Sequence, residues 1–285
     1  MSDAVLPIAS AAARPRWARR MPAAFVAGVA IVLGFVAAAS LYLFVPSLDP
    51  QAYDYDFLLA PPSAAHWFGT DNFGRDVLAR TLAASGIDLR IAVFCTLLPI
   101  ITGTIVGALV GYVGGVADAI FGRIVDVVIT FPFLVLVIAI VAVLGPGLGN
   151  LYIAVSLVGW VFYARMMRAE IMVLRRGDFA AAGRVMGYGT LRIVFRHLVP
   201  NAITPLLVYW MTDMALCILL GSSLGYLGLG AQPPTSEWGV LVADGKNFME
   251  TAWWISVFPG AAIVLCGTGF SLLGDGLADL IAVRR

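Results

Sequence analysis

The chain has 285 residues, of which 61% are apolar and only 12% charged, against roughly 25% charged in an average soluble protein. That leaves too little ionic surface to keep a compact body of this size dispersed in water, so the composition excludes a soluble globule and indicates an integral membrane protein. A formal net charge of +1 supplies no general excess of cations for phosphates, which argues against a nucleic-acid binder.

A helix needs about 20 apolar residues to cross roughly 30 Å of hydrocarbon, so long intervals without a charged side chain mark the spans. Five such intervals occur: 21–48, 91–117, 127–164, 214–236 and 251–274. The third is too long for one pass and is divided by the turn-forming run Gly145-Pro146-Gly147-Leu148-Gly149-Asn150. Six transmembrane helices are therefore expected, near 23–45, 89–113, 124–144, 151–167, 202–221 and 253–273, in an all-α polytopic fold. The basic start (Arg14, Arg16, Arg19, Arg20) precedes an apolar run longer than the roughly 7–15 residues of a signal core, so it reads as a retained first span.

Basic residues are held on the cytoplasmic side. Putting the N-terminus there leaves 14 of the 18 Arg and Lys on that face: the four at the start, Arg123, seven between Arg165 and Arg196, and Arg284 with Arg285. Only Arg75, Arg80, Arg90 and Lys246 fall outside, which predicts both termini cytoplasmic. Trp17, Trp253 and Trp254 fit headgroup-level anchors. The expected organisation is a cytoplasmic tail (1–22), the first span, an external cap (46–88), a core of five spans (89–279) with a cytoplasmic coupling loop (168–198), and a second tail (280–285).

The cap holds six aspartates against two arginines. Within it Trp67, Phe68, Phe73, Val77 and Leu78 are placed to pack on one another or on the membrane surface. A second external segment runs from 226 to 252. Cys95, Cys217 and Cys266 sit in apolar stretches without a metal-ligand spacing and read as structural thiols. With only His66 and His197 a zinc site is hard to assemble. Gly239 to Lys246 fails as a phosphate loop, because its spacing is wrong and Asn247 follows the lysine.

Asp213 lies inside the fifth span. An aspartate at that depth costs on the order of 2.5–3.5 kcal/mol and should face protein or water. It reads either as a pathway-lining group that attracts an amino terminus or a metal cation, or as a hydrogen bond between helices.

The stretch from Arg165 to Pro200 holds seven arginines interleaved with apolar residues. Asp178 is placed to cap a short helix beginning at Phe179, and Gly187 and Gly189 to end it. A second helix then runs back into the membrane at Pro200. A helix lying on lipid favours bulky insertion groups, whereas Ala180, Ala181, Ala182 and Gly183 are small and permit close approach of another protein. The run from Asp178 through Arg184 to Gly187, with Arg196-His197-Leu198-Val199-Pro200-Asn201, resembles the cytoplasmic EAA loop of ABC importer permeases. It departs from the pattern at Ala181, where the family has glutamate, and at Gly183, where it has alanine. The resemblance implies docking on an ATPase through Asp178, Ala181, Ala182, Gly183, Arg184 and Gly187, without a specific ion pair.

A second motif is independent of the first. His66 to Arg80, with Gly69, Thr70, Asp71, Gly74, Arg75 and Asp76, is similar to the G-T-D-x-x-G-R-D signature of the dipeptide, oligopeptide and nickel permeases. Its glycines permit tight turns, and Asp71, Arg75 and Asp76 are able to pair locally. The run from Tyr226 to Thr235 with Glu237-Trp238-Gly239, and the run from Gly274 to Asp279, are similar to the same family, whose members often carry a glutamate where this chain has Gly221.

The resemblance implies a type I ABC importer permease fold and the second permease subunit of an importer in a bacterial inner membrane. The implied partners are a homologous permease, two ABC ATPase subunits, an external substrate-binding protein and membrane lipid, with no nucleic acid. No cofactor is expected on this chain, since ATP and magnesium would sit on the ATPases, and no catalysis of its own. Peptide is the expected cargo and nickel or its chelate the alternative. A proton-coupled transporter using Asp213, and an intramembrane enzyme using His197, are the readings from other classes.

Overall fold

A computed structural model describes residues 21–45 and 48–282. The basic start, Trp17 and the two terminal arginines lie outside the described residues. The described residues are helical apart from turns, with a single isolated bridge between Thr70 and Asp76.

Helix α1 (Ala23–Phe44) packs against the last helix, α10 (Trp254–Ala282). Helix α2 (Val77–Val113) starts well before residue 89, where the second span was expected. The charges that interrupted the apolar run, Arg80 and Asp88, are buried against protein and not lipid, so the helix continues past the membrane surface. Its 37 residues reach about 55 Å at 1.5 Å each, beyond the hydrocarbon core. The external cap is correspondingly shorter, ending at Asp76, whose carboxylate accepts the Ala79 N–H at 2.9 Å and caps α2.

The third span is not the single helix expected at 124–144. Helices α3 (Gly115–Thr130) and α4 (Phe133–Leu144) meet at an 86° bend. Pro132 sits at the break, lacks a backbone donor and holds Phe131 in an extended conformation. Helix α5 (Leu148–Leu174) follows the predicted turn. There Gly145 and Gly147 take positive φ, and the Asn150 amide donates to the Leu144 and Gly145 carbonyls at 3.0 Å.

On the other side of the membrane are α6 (Asp178–Val185) and a one-turn helix, α7 (Thr190–Arg192). A π-helical stretch, Ile193–Leu198, joins α7 to α8 (Val199–Tyr226). An outer helix, α9 (Trp238–Gly245), precedes α10. Five helical segments are long and apolar enough to cross a bilayer, and the bent pair makes a sixth.

Side-chain contacts fix the direction of the passes. Arg175, at the end of α5, donates to the Gly111 and Tyr112 carbonyls at the end of α2, at 2.9 and 3.0 Å. Both ends therefore lie on one face. Arg168 of α5 forms a two-pronged ion pair with Asp118 at the start of α3 on that same face. At the opposite face the Gly147 N–H bonds to the Leu229 carbonyl beyond α8. The α3–α4 pair therefore runs from one face to the other despite its bend.

The α2–α5 seam is built on glycine. A Cβ on Gly103 would meet the Trp160 carbonyl at 2.6 Å, one on Gly107 the Ala164 carbonyl at 2.3 Å, and one on Gly111 the Arg168 carbonyl at 2.8 Å. Spaced four apart, these residues form one stripe along α2, and their small size brings two backbones together where the hydrophobic effect supplies no drive between helices.

Candidate functional site

Three places gather the residues singled out from the sequence. The first is the cytoplasmic elbow. Asp178 is the first residue of α6 and not its cap: Gly177 takes the cap position and no side chain caps the helix. The carboxylate still complements the positive end of the helix. The small residues divide by face. Ala180 and Gly183 are buried, and a Cβ on Gly183 would touch Ile193 Cγ1 at 3.3 Å, so these two fit α6 to its own chain. This corrects the expectation that the whole run serves a partner. Ala182, Arg184, Val185, Met186 and Gly187 are exposed, Ala181 is half-buried, and Val185 is 89% exposed. Gly187 ends the helix at φ +73°, as predicted, whereas Gly189 caps α7. Arg184 donates to the Arg175 carbonyl at 3.4 Å. Arg175 in turn holds the end of α2, so α6 is tied to the membrane helices.

The second place is an ionic clasp under the cap. Gly69 and Gly74 take positive φ in two tight turns. Asp71, fully buried, accepts the Phe73 and Arg75 N–H groups at 2.8 and 3.0 Å and the Arg75 and Arg80 guanidiniums at 2.7 Å each. Both arginines also reach Asp244 of α9, at 3.7 and 3.0 Å. Asp71 and Arg75 pair as expected. Asp76 does not join them: besides capping α2 it pairs with His66 at 2.9 Å. Thr70 bonds to the Phe57 carbonyl and the Ala60 N–H, and its own carbonyl accepts Trp254 Nε1 at 3.0 Å. Trp254 is therefore a buried strut and not a headgroup anchor, while Trp253 beside it is exposed. Phe68 stacks on Phe258 at 3.9 Å, whereas Trp67 and Phe73 remain exposed. The signature residues Thr70, Asp71, Arg75 and Asp76 are thus all engaged with other parts of the protein, and Gly69 and Gly74 turn the chain beside them.

A buried carboxyl pair lies beside the clasp. Glu237 accepts the Gly239 and Val240 N–H groups at 2.7 and 3.0 Å and caps α9. Asp88 of α2 accepts the Trp238 N–H at 3.1 Å and the Ser222 hydroxyl at 3.4 Å. Burial pushes the Glu237 carboxyl above the usual range, and its two backbone donors offset part of that rise. The folded protein then keeps a proton that the unfolded chain has already lost. Stability is expected to fall as pH rises from the ordinary carboxylate range through the raised value. Thermal unfolding followed across pH should show this slope, and Glu237→Gln together with Asp88→Asn should flatten it.

The third place is a cleft of about 410 Å³ between α4, α5 and α8, lined by Phe133, Phe162, Tyr209, Asp213, Leu216 and Leu220 among others. Asp213 accepts the Tyr163 hydroxyl at 2.6 Å, and Tyr163 meets Tyr209 edge-to-face at 5.1 Å. Sequence reasoning missed Tyr163, because nothing in an apolar run marks which hydroxyl will meet a carboxylate 50 positions away. Cys95 and Cys217 border the cleft as buried free thiols. A Cβ on Gly221 would approach Ile91 Cγ2 to 2.7 Å, so a side chain at this position requires Ile91 to shift.

Residues 103–285 match the family described as binding-protein-dependent transport system inner membrane components. The chain belongs to this family of ABC importer permeases. It is 41% identical over 244 residues to a probable D,D-dipeptide transport system permease protein of Escherichia coli K12, covering 85% of this chain and 82% of that one. A dipeptide transport system permease protein of Alkalihalophilus pseudofirmus is 38% identical, over 90% and 84%. A glutathione transport system permease protein of Pectobacterium atrosepticum is 37% identical, over 94% and 90%. The permease is accordingly a multi-pass inner-membrane transport subunit and not an enzyme, which removes the proton-coupled and intramembrane-enzyme readings.

Proposed function

We propose that this permease is one of two that together form the pore of an ATP-driven importer of di- or oligopeptides. An external binding protein delivers the cargo, and two ATPases carry ATP and magnesium. The relatives named here for dipeptide, di/tripeptide and glutathione systems support the cargo class.

The observation that carries the coupling role is the outer face of α6. Ala182, Arg184, Val185 and Met186 are exposed on the cytoplasmic side, while Ala180 and Gly183 fix the helix from behind. An apolar residue as bare as Val185 at the tip of a helix held on an arginine-rich loop suits insertion into a protein cleft. Closure of the ATPases on ATP would then move α6 as a rigid element, and the Arg184–Arg175 tie would carry that motion to the ends of α5 and α2.

Val185→Asp should place a charge in that contact. We expect at least tenfold less ATPase copurifying with the permease, with peptide uptake lost to match. A cysteine replacing Ala182 should cross-link to an ATPase subunit. Unchanged copurification and uptake in Val185→Asp would overturn the docking role.

A further inference from the structure

The cleft at Asp213 has a chemistry that helix packing does not require. Its wall carries three aromatic residues, Phe133, Phe162 and Tyr209, together with one carboxyl, and no Lys, Arg or His lines it. Among the described residues Asp213 receives one hydrogen bond, from Tyr163 to Oδ2, which leaves Oδ1 without a donor. An asparagine oxygen would also accept that hydroxyl, so the tie between α5 and α8 does not by itself require an acid. An intramembrane carboxyl is retained at a cost of a few kcal/mol, and aromatic faces beside it attract cations, as a carboxylate does. The volume lies within the roughly 300–1,000 Å³ of small-molecule sites.

We infer that this cleft is a recognition point for a primary ammonium group, with Asp213 as the charged contact, Tyr163 orienting it, and Tyr209, Phe133 and Phe162 walling the cation. Given the import reading on which this rests for its cargo, the group recognised is the free amino terminus of a passing peptide. The site prefers cargo with an uncapped amine. Tyr163 acts on the carboxyl and is a positioning residue.

The test needs no transport and is independent of the elbow, so its failure and the failure of the coupling role are separable. Leu216→Cys puts a thiol on the cleft wall one helical turn from Asp213, and Leu220→Cys provides a second reporter on the same helix. In the assembled complex each is reacted with ethylammonium and ethylsulfonate methanethiosulfonates, with rates normalised to those of a free thiol and corrected for the native cysteines. We expect at least a tenfold preference for the cationic reagent, lost in Asp213→Asn and retained in Tyr163→Phe. Millimolar alanyl-alanine should slow the reaction, and N-acetyl-alanyl-alanine should not. No charge preference, a preference that survives Asp213→Asn, equal effects of the two peptides, or no reaction at either position would overturn the assignment.

Discussion

Gly107→Leu is expected to prevent the permease from folding into a monodisperse species. A Cβ at this position already falls 2.3 Å from the Ala164 carbonyl and 2.9 Å from its Cα. The obstacle is backbone, so no rotamer change relieves it. Overpacking ordinarily costs about 1–3 kcal/mol where side chains are able to shift. Here α2 and α5 must separate along the seam that Gly103, Gly107 and Gly111 make, and a cost above about 3 kcal/mol follows. Size-exclusion profiles in detergent and resistance to protease should show the loss. Gly34→Leu is the control: nothing lies within 4 Å of its Cβ, and it should leave both measurements unchanged.

The second large effect is expected at Asp71. Asp71→Ala removes four hydrogen bonds, two of them from guanidiniums, and leaves the 4%-exposed Arg80 with Asp244 alone. Breaking a buried ion pair on one side costs about 3–5 kcal/mol because the remaining charge is stranded. The cap should loosen, exposing the 48–76 segment to added protease while the membrane helices stay folded. Asp71→Ala with Arg80→Met is expected to recover part of the loss, since it removes the stranded cation and leaves an apolar stem in its place. If the single variant resists protease as well as the parent, the clasp is not what holds the cap.

Much of the plan was legible in the residues. Charge gaps located the passes, and the Gly145 to Asn150 run located a turn that the structure closes with the Asn150 amide. The seven arginines interleaved with apolar residues between Arg165 and Pro200 located the elbow. Its inner and outer faces were not legible, because Ala180 and Ala182 differ only in what each meets after folding. Charge gaps also misplaced the start of α2, since Arg80 and Asp88 interrupt the apolar pattern without interrupting the helix. The bend at Pro132 was hidden inside a run of uniform hydropathy, and the Gly103, Gly107 and Gly111 stripe was passed over as ordinary apolar composition.

What the amino-acid order determined alone is local: where a segment is apolar enough to enter lipid, which loops hold the cations, and where glycine or proline must turn the chain. These follow from the transfer cost of single groups and from backbone sterics, which need no knowledge of distant neighbours. The tertiary structure alone decided the pairings: Asp213 with Tyr163, Arg80 with Asp244, and Arg175 with the end of α2. Each joins residues 50 or more positions apart. Such partners are set by how close two helices approach, and for Arg175 and the end of α2 the missing side chains of the α2 glycines set that approach.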